Sequence, residues 1–370
     1  MIERLRYGLV SSVAMVSLLF STAQVLDARG EPYLAIRTGL RCSQCHTNRT
    51  GGGGRTDFGA MYAQTRLAGR KYPFRNRMIN DFLSVGGNFR LVTSGTVSDT
   101  DPRTTIELRE ANVQIEARLV PDRLALYIDE TVGPSSASTR EGFVILERLP
   151  LDGYLKVGKF LLPYGLRLLD DGEFIRQRTG FNYATPDQGV ELGVEPGPLS
   201  VFLAVSNGAQ GADENNSGKQ VTATAALTFP GFRLGASASR NQGTGTRRDV
   251  VGGFGGFRLG RFGFMGEADL IIDRPSAGDT KEQFAVFVEG DFLAARGLNA
   301  KITYGFLDPD AGILDPDRGI GENARIRLRF GLEAFPIQFL QVSGFYTLLQ
   351  DIPQATTDRD QINLEIHLYF

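Results

Sequence analysis

Tryptophan is absent from this 370-residue chain, and cysteine and histidine appear only twice each. Two cysteines exclude a disulfide-framework fold. Together with two histidines they cannot furnish a set of structural zinc sites. Charge of one sign is also missing: 40 Lys and Arg stand against 42 Asp and Glu, a net charge of −2. Without a basic excess, composition gives no reason to expect nucleic acid as a partner. Long hydrophobic runs are lacking as well. The one sustained apolar stretch, Tyr7 to Phe20, is too short for a membrane-spanning helix.

That stretch has another reading. Arg4 and Arg6 precede it and Ser21-Thr22-Ala23 follows, the layout of a cleaved export signal over residues 1–23. Export puts the two thiols in an oxidising compartment.

Those thiols lie in Cys42-Ser43-Gln44-Cys45-His46. The pattern C-x-x-C-H is that of c-type haem attachment, in which two thiols add to the haem vinyl groups and the adjacent histidine ligates the iron. Two intervening residues let one helical turn present both sulfurs to one porphyrin edge. A redox dithiol and half a zinc site compete. The first wants a βαβ setting that this chain does not offer, and the second wants further ligands where only His367 remains. One covalently bound haem c is therefore expected on Cys42 and Cys45, with His46 as proximal iron ligand. For the distal position Met61 is the first candidate, close in sequence and beside aromatics. His367 is the alternative, and Met78 and Met265 are weaker.

From Asp81 onward the pattern changes to period-two alternation. In the last stretch Ile362, Leu364, Ile366, Leu368 and Phe370 share one face, and Asn363, Glu365, His367 and Tyr369 the other. One face suits lipid and the other a polar lumen. Similar runs recur about sixteen times, an even number within the range of single-chain outer-membrane barrels. Tight turns such as Pro121-Asp122, Pro150-Leu151-Asp152, Pro196-Gly197-Pro198 and Pro230-Gly231 alternate with longer polar stretches such as Asn207–Gly218, Asn241–Arg248 and Asp308–Glu322. The fold expected is all-β: a transmembrane antiparallel barrel of about sixteen strands over residues 81–370, in outer-membrane lipid. A small helical and irregular haem segment, residues 24–80, precedes it.

Residues 24–80 are few for an independent cytochrome core. The segment is expected inside or against the periplasmic mouth of the barrel, where the lumen wall completes a pocket and the barrel is plugged. The longest interruption, Leu161 to Gln188, carries Tyr164, Phe174, Phe181 and Tyr183 and is expected to fold inward. Arg325, Arg327 and Arg329 form a basic row fit to steer anions, to hold haem propionates, or to be balanced by nearby carboxylates. Glu107 and Glu116 are expected to face the lumen as well.

Two resemblances attach to these residues. Gly153 to Gly165 resembles a strand-and-turn segment of phosphate-selective-type porins. Pro32-Tyr33-Leu34-Ala35 before C-x-x-C-H and Phe58-Gly59-Ala60-Met61-Tyr62 after it, followed by a barrel, resemble the fused monohaem cytochrome–porins of the outer membrane, the iron-oxidase type. That resemblance implies single-electron transfer across the outer membrane. The donor would be extracellular Fe(II) or another reduced species, the acceptor a periplasmic c-type cytochrome or other carrier, with possible Fe(II) oxidase activity. The other reading is a diffusion or anion-selective porin whose haem segment is a plug or gate.

Overall fold

The computed structural model describes residues 32–70, 72–73, 80–97, 103–134, 136–214, 216–312, 323–351 and 360–370. The export signal, Met78 and the acidic Asp315-Pro316-Asp317 lie outside the described residues. Four short helices are described, α1 (Pro32–Thr38), α2 (Cys42–Cys45), α3 (Asp57–Tyr62) and α4 (Phe174–Thr179), and a π-helical turn, Ala63–Leu67, continues α3.

Sixteen antiparallel strands close into one barrel. They run β1 (Leu83–Val97), β2 (Arg103–Val120), β3 (Leu124–Gly133), β4 (Ser138–Leu149), β5 (Gly153–Phe160), β6 (Asp187–Val194), β7 (Leu199–Ser206) and β8 (Gln220–Phe229). The second half is β9 (Phe232–Gly243), β10 (Thr246–Leu259), β11 (Phe262–Pro275), β12 (Lys281–Ala295), β13 (Leu298–Asp308), β14 (Arg325–Ala334), β15 (Leu340–Asp351) and β16 (Asp360–Tyr369). Each strand pairs with its sequence neighbours, and β1 closes on β16 in the register Arg90↔His367 and Phe89↔Leu368. Closure satisfies every ladder, leaving no sheet edge to lipid.

Alternation decides which face meets what. Along β16, Ile362, Leu364, Ile366 and Leu368 are exposed on the outside, while His367 and Tyr369 are buried inside. The same holds for β7, where Val201, Leu203 and Val205 face out and Ser200, Phe202, Ala204 and Ser206 face in. An apolar outer belt around a polar lining is the pattern of a membrane-spanning barrel. In β2 a bulge opposite Arg90 and Leu91 shifts the register. It puts Glu107 and Glu116 on the same inner side although their numbers differ in parity.

One end of the barrel carries the short turns and the other the longer connections. Asn241–Arg248, read from sequence as a long loop, is a correction: β9 and β10 run through it to Gly243 and Thr246, leaving a tight hairpin. Both strands there are polar on both faces, so alternation stops marking strand where the ladder still continues.

The lumen is largely filled. Residues 32–70 lie against its wall at the short-turn end, and the connection 161–186 folds in from the other. Tyr33 and Ile36 of α1, Tyr164, Leu166, Leu168, Phe174 and Ile175 of the inward connection, and Phe254, Met265, Ile271 and Phe287 of the wall share one apolar core. Burying each large side chain there contributes roughly 1.5–3 kcal/mol. The wall is carved to receive α1: a Cβ added at Gly256 would lie 2.4 Å from Ile36 Cδ1. Polar anchors then fix the orientation. Tyr33 Oη donates to Glu333 Oε2 at 2.6 Å, and Arg37 pairs with buried Asp291. Arg49 bonds Glu195 at 2.8 Å and Glu147 at 3.0 Å. At its far end the segment is tied to the turns, with Gly69 N–H donating to Phe335 O at 2.7 Å and Arg296 to Thr65 O at 2.7 Å.

The inward connection is latched by charge. Arg176 pairs with Glu267 at 2.6 Å, and Tyr164 Oη donates to Asp269 at 2.8 Å. The basic row of β14 is spent here. Arg327 pairs with Glu173 and, at 2.9 Å, with Asp170; Arg329 meets Asp170 at 2.7 Å. Arg325 pairs instead with Asp351 of the next strand. Glu141 joins the two inserts, accepting from Asn48 Nδ2 at 2.6 Å and from Leu161 N–H at 2.9 Å.

Candidate functional site

Cys42 and Cys45 bound the single helical turn α2, and His46 ends it, its N–H donating to Cys42 O at 3.0 Å. The glycine-rich stretch 51–54 reverses the chain, so that Thr47 N–H donates to Gly54 O at 3.0 Å and His46 forms an antiparallel bridge with Arg55. Thr56 then caps α3 through its hydroxyl, which accepts from Gly59 N–H at 3.1 Å and donates to Gln44 O at 2.8 Å. Gly59 is a packing requirement: a Cβ there would stand 2.1 Å from Cys45 O. The residues after the motif thus clamp α3 onto the back of α2.

In front of α2 a cavity of about 470 Å³ opens into the lumen. Cys42, Cys45 and His46 line it, and so do His367, Arg55, Arg90, Arg140, Tyr183 and Tyr369. That volume lies within the usual range for a cofactor pocket, ~300–1,000 Å³. A chain of contacts connects the two histidines. Arg55, bridged to His46, lies over the Tyr369 ring at 4.7 Å, and that ring is 5.3 Å from the ring of His367.

The electrostatics favour a ligand histidine over a redox dithiol. Burial pushes the Cys45 thiol up to about 11, with Cys42 adding to the rise and Arg55 opposing it. A reactive dithiol needs the opposite shift. His46 is pushed down to about 4, first by burial and then by the charge of Arg55, the backbone at Gly53 and Gly54 pulling partly back. It is a neutral imidazole at neutral pH, the form that binds metal. Its Nδ1 is buried and makes no hydrogen bond.

Two free thiols on one turn, a neutral buried imidazole beside them and a lumen pocket in front suit haem c. Cys42 and Cys45 would hold it and His46 would ligate its iron; when bound, the group supplies one-electron redox chemistry. Among the described residues no group of three or more His, Cys, Asp and Glu converges as a bare-metal site.

The distal candidates separate. Met61 is exposed on the outer side of α3 and does not line the cavity. Its nearness in sequence made it the first candidate, but α3 turns Gly59 toward Cys45 and carries Met61 away from the cavity. Met265 is buried in the shared apolar core, outside the cavity lining. His367 lines the cavity with His46. Its Nδ1 is 2.7 Å from Gln341 Oε1 and its Nε2 3.0 Å from Asn88 Oδ1. A neutral imidazole donates from one nitrogen only, so one of the two amides must turn its NH₂ toward the ring. Metal binding through Nε2 would replace the Asn88 contact and keep Gln341 as the orienting partner.

Arg55, Tyr369, Asn88 and Gln341 were not legible as site residues. Only Arg55 lies near the motif in sequence, and the other three enter through closure of β1, β15 and β16 around it.

No family model matches the chain, and no curated protein matches it. Solved structures do. OmpT of Vibrio cholerae, in its trimer form, is similar with a TM-score of 0.62 at 14% identity, over 78% of this chain and 99% of that one. An anion-selective porin from Comamonas acidovorans gives 0.60 at 10% identity, over 78% and 99%. The outer-membrane channel DcaP of Acinetobacter baumannii gives 0.59 at 12%, over 78% and 97%. At these identities the likeness establishes the fold alone: a closed porin-like barrel.

Proposed function

We propose that this chain is an outer-membrane barrel plugged by its own haem-binding segment, and that it passes single electrons across the membrane. The observation that carries the reading is the convergence of Cys42, Cys45, His46 and His367 on one lumen cavity. His367 and the three residues of the motif line the same cavity, and together they match in kind the donor set that a six-coordinate haem c uses. The inward connection and residues 32–70 fill the lumen around that cavity, which leaves little room for free diffusion and much for a fixed cofactor. The outer apolar belt supports placement in an outer membrane. An extracellular reduced donor, Fe(II) in the first instance, and a periplasmic electron carrier complete the proposal.

A second reading is favoured by the likeness to porins, one of them anion-selective. In it the barrel conducts solutes and residues 32–70 act as a plug or gate.

Purified full-length protein from a host that matures c-type cytochromes separates the two. A reducible c-type spectrum with a low-spin pattern, reduced further by added Fe(II), is expected, together with low conductance in a planar bilayer. Large steady conductance would favour the porin. A protein carrying haem that Fe(II) reduces at neither neutral nor acidic pH would remove the iron donor.

A further inference from the structure

Among the guanidinium groups that line the cavity, most are already engaged. Arg90 pairs with Glu110 at 2.6 Å and Glu365 at 2.5 Å, and Arg140 with Glu110 and Asp129. Arg329 is held by Asp170, and Arg233 rests on the Phe254 ring. Arg233 also has no carboxylate partner among the described residues and its Nε is buried without a hydrogen bond, but only Arg55 and Arg167 lie on or against the return that follows the motif. Arg55 has no carboxylate partner among the described residues; its Nη1 is buried without a hydrogen bond, and its plane lies over Tyr369. Arg167 donates only to neutral oxygens, Thr50 Oγ1 at 3.2 Å, Leu161 O at 3.4 Å and Leu162 O at 3.0 Å, and its Nε is buried without a partner. A charge taken out of water without a counter-ion is costly. Arg55 is bridged to His46, and Arg167 reaches the glycine-rich return through Thr50.

They reach the cavity from different elements. Arg55 comes from the strand-like return after the motif. Arg167 comes from the inward connection, its Cδ 3.2 Å from where a Cβ on Gly52 would stand. Both guanidinium groups line the cavity without a hydrogen bond to a carboxylate, and their forks suit carboxylates.

We propose that Arg55 and Arg167 receive a pair of carboxylates carried by one ligand, and that the source is the two propionates of the haem held on Cys42 and Cys45. This rests on the haem reading above. Both arginines are positioning residues: they fix the tilt and rotation of the macrocycle in the lumen. The inward connection thereby gains a second role, because it supplies Arg167 and so ties its own inward fold to the seating of the cofactor.

The test uses the full-length chain with Arg55→Leu, Arg167→Leu and Arg55→Lys. Intact mass decides first whether haem is covalently attached. A wild-type protein without it sinks the haem reading itself, independently of the arginines. Where haem is attached, resonance Raman spectra of the propionate bending modes are compared. A shift of those modes in both leucine variants, with wild-type-like modes in Arg55→Lys, is expected. Unchanged modes in leucine variants that carry haem would overturn the assignment. The haem-loaded wild-type chain is titrated with succinate in parallel. Saturable binding there, lost in Arg55→Leu, would show the pair open beside bound haem and overturn the propionate source.

Discussion

Replacing Arg37 by methionine should loosen the N-terminal helical segment inside the barrel, and the structure sets the scale. Arg37 and Asp291 are 6% and 1% exposed at their side chains, and Arg37 also donates to Asp291 O at 3.2 Å and Arg261 O at 3.3 Å. Methionine keeps most of the apolar stem that packs beside Tyr33, so the change removes chiefly charge and hydrogen bonds. Breaking a buried ion pair from one side costs about 3–5 kcal/mol, because the remaining charge stays in a low-dielectric site. If α1 opens locally, amide exchange across Pro32–Thr38 should accelerate by about two to three and a half decades. Arg37→Met/Asp291→Asn should recover much of that protection, since no uncompensated charge then remains. Hydrogen exchange read by mass spectrometry, on protein in detergent or nanodiscs, checks both. Unchanged exchange in Arg37→Met would refute the reasoning. So would a double variant as exposed as the single one, because the penalty would then not come from Asp291.

Cys42→Ala or Cys45→Ala should leave a haem bound by a single thioether or none, read by mass. His367→Ala should convert a low-spin spectrum to high-spin while Met61→Ala leaves it unchanged; the reverse outcome would restore Met61 as distal ligand. Gly59→Ala should lower covalent haem content, because its Cβ would push into the carbonyl of Cys45, and equal haem loading would show that α2 and α3 part freely. Glu173 is pushed up to about 7 by burial despite the opposing charge of Arg327. A carboxyl raised above its unfolded value contributes stability that is present at acid pH and lost as pH rises toward 7. Exchange of the α4 amides should therefore speed up between about pH 4.5 and 7, and Glu173→Gln should flatten that dependence.

Much of the barrel was legible because its signal is local. Ile362 to Phe370 declares a strand by alternation alone, and Pro121-Asp122 or Pro230-Gly231 declares a turn by backbone chemistry. The signal failed at 241–248, where strands are polar on both faces and only the ladder to the neighbouring strand marks them. It also gave no way to see that Arg327 and Arg329 latch Asp170 and Glu173, since those partners lie 154 to 159 positions away in the chain. Cys42, Cys45 and His46 were readable as one motif from their spacing, and they line one cavity. That Met61 lies outside that cavity was not readable, because proximity in sequence says nothing of which side of α3 faces α2.

By itself, then, the sequence determined a C-x-x-C-H turn followed by about sixteen alternating strands. Such features depend on neighbours a few residues apart. Tertiary structure alone decided what stands opposite the motif. His367, Tyr369 and Arg90 reach the cavity because β1 closes on β16 in one register, with Arg90 opposite His367. A slip of one residue would turn those side chains to the lipid face. Pairing between strands almost a whole chain apart is fixed by closure of the barrel and by the fit of its contents, and no local pattern carries it.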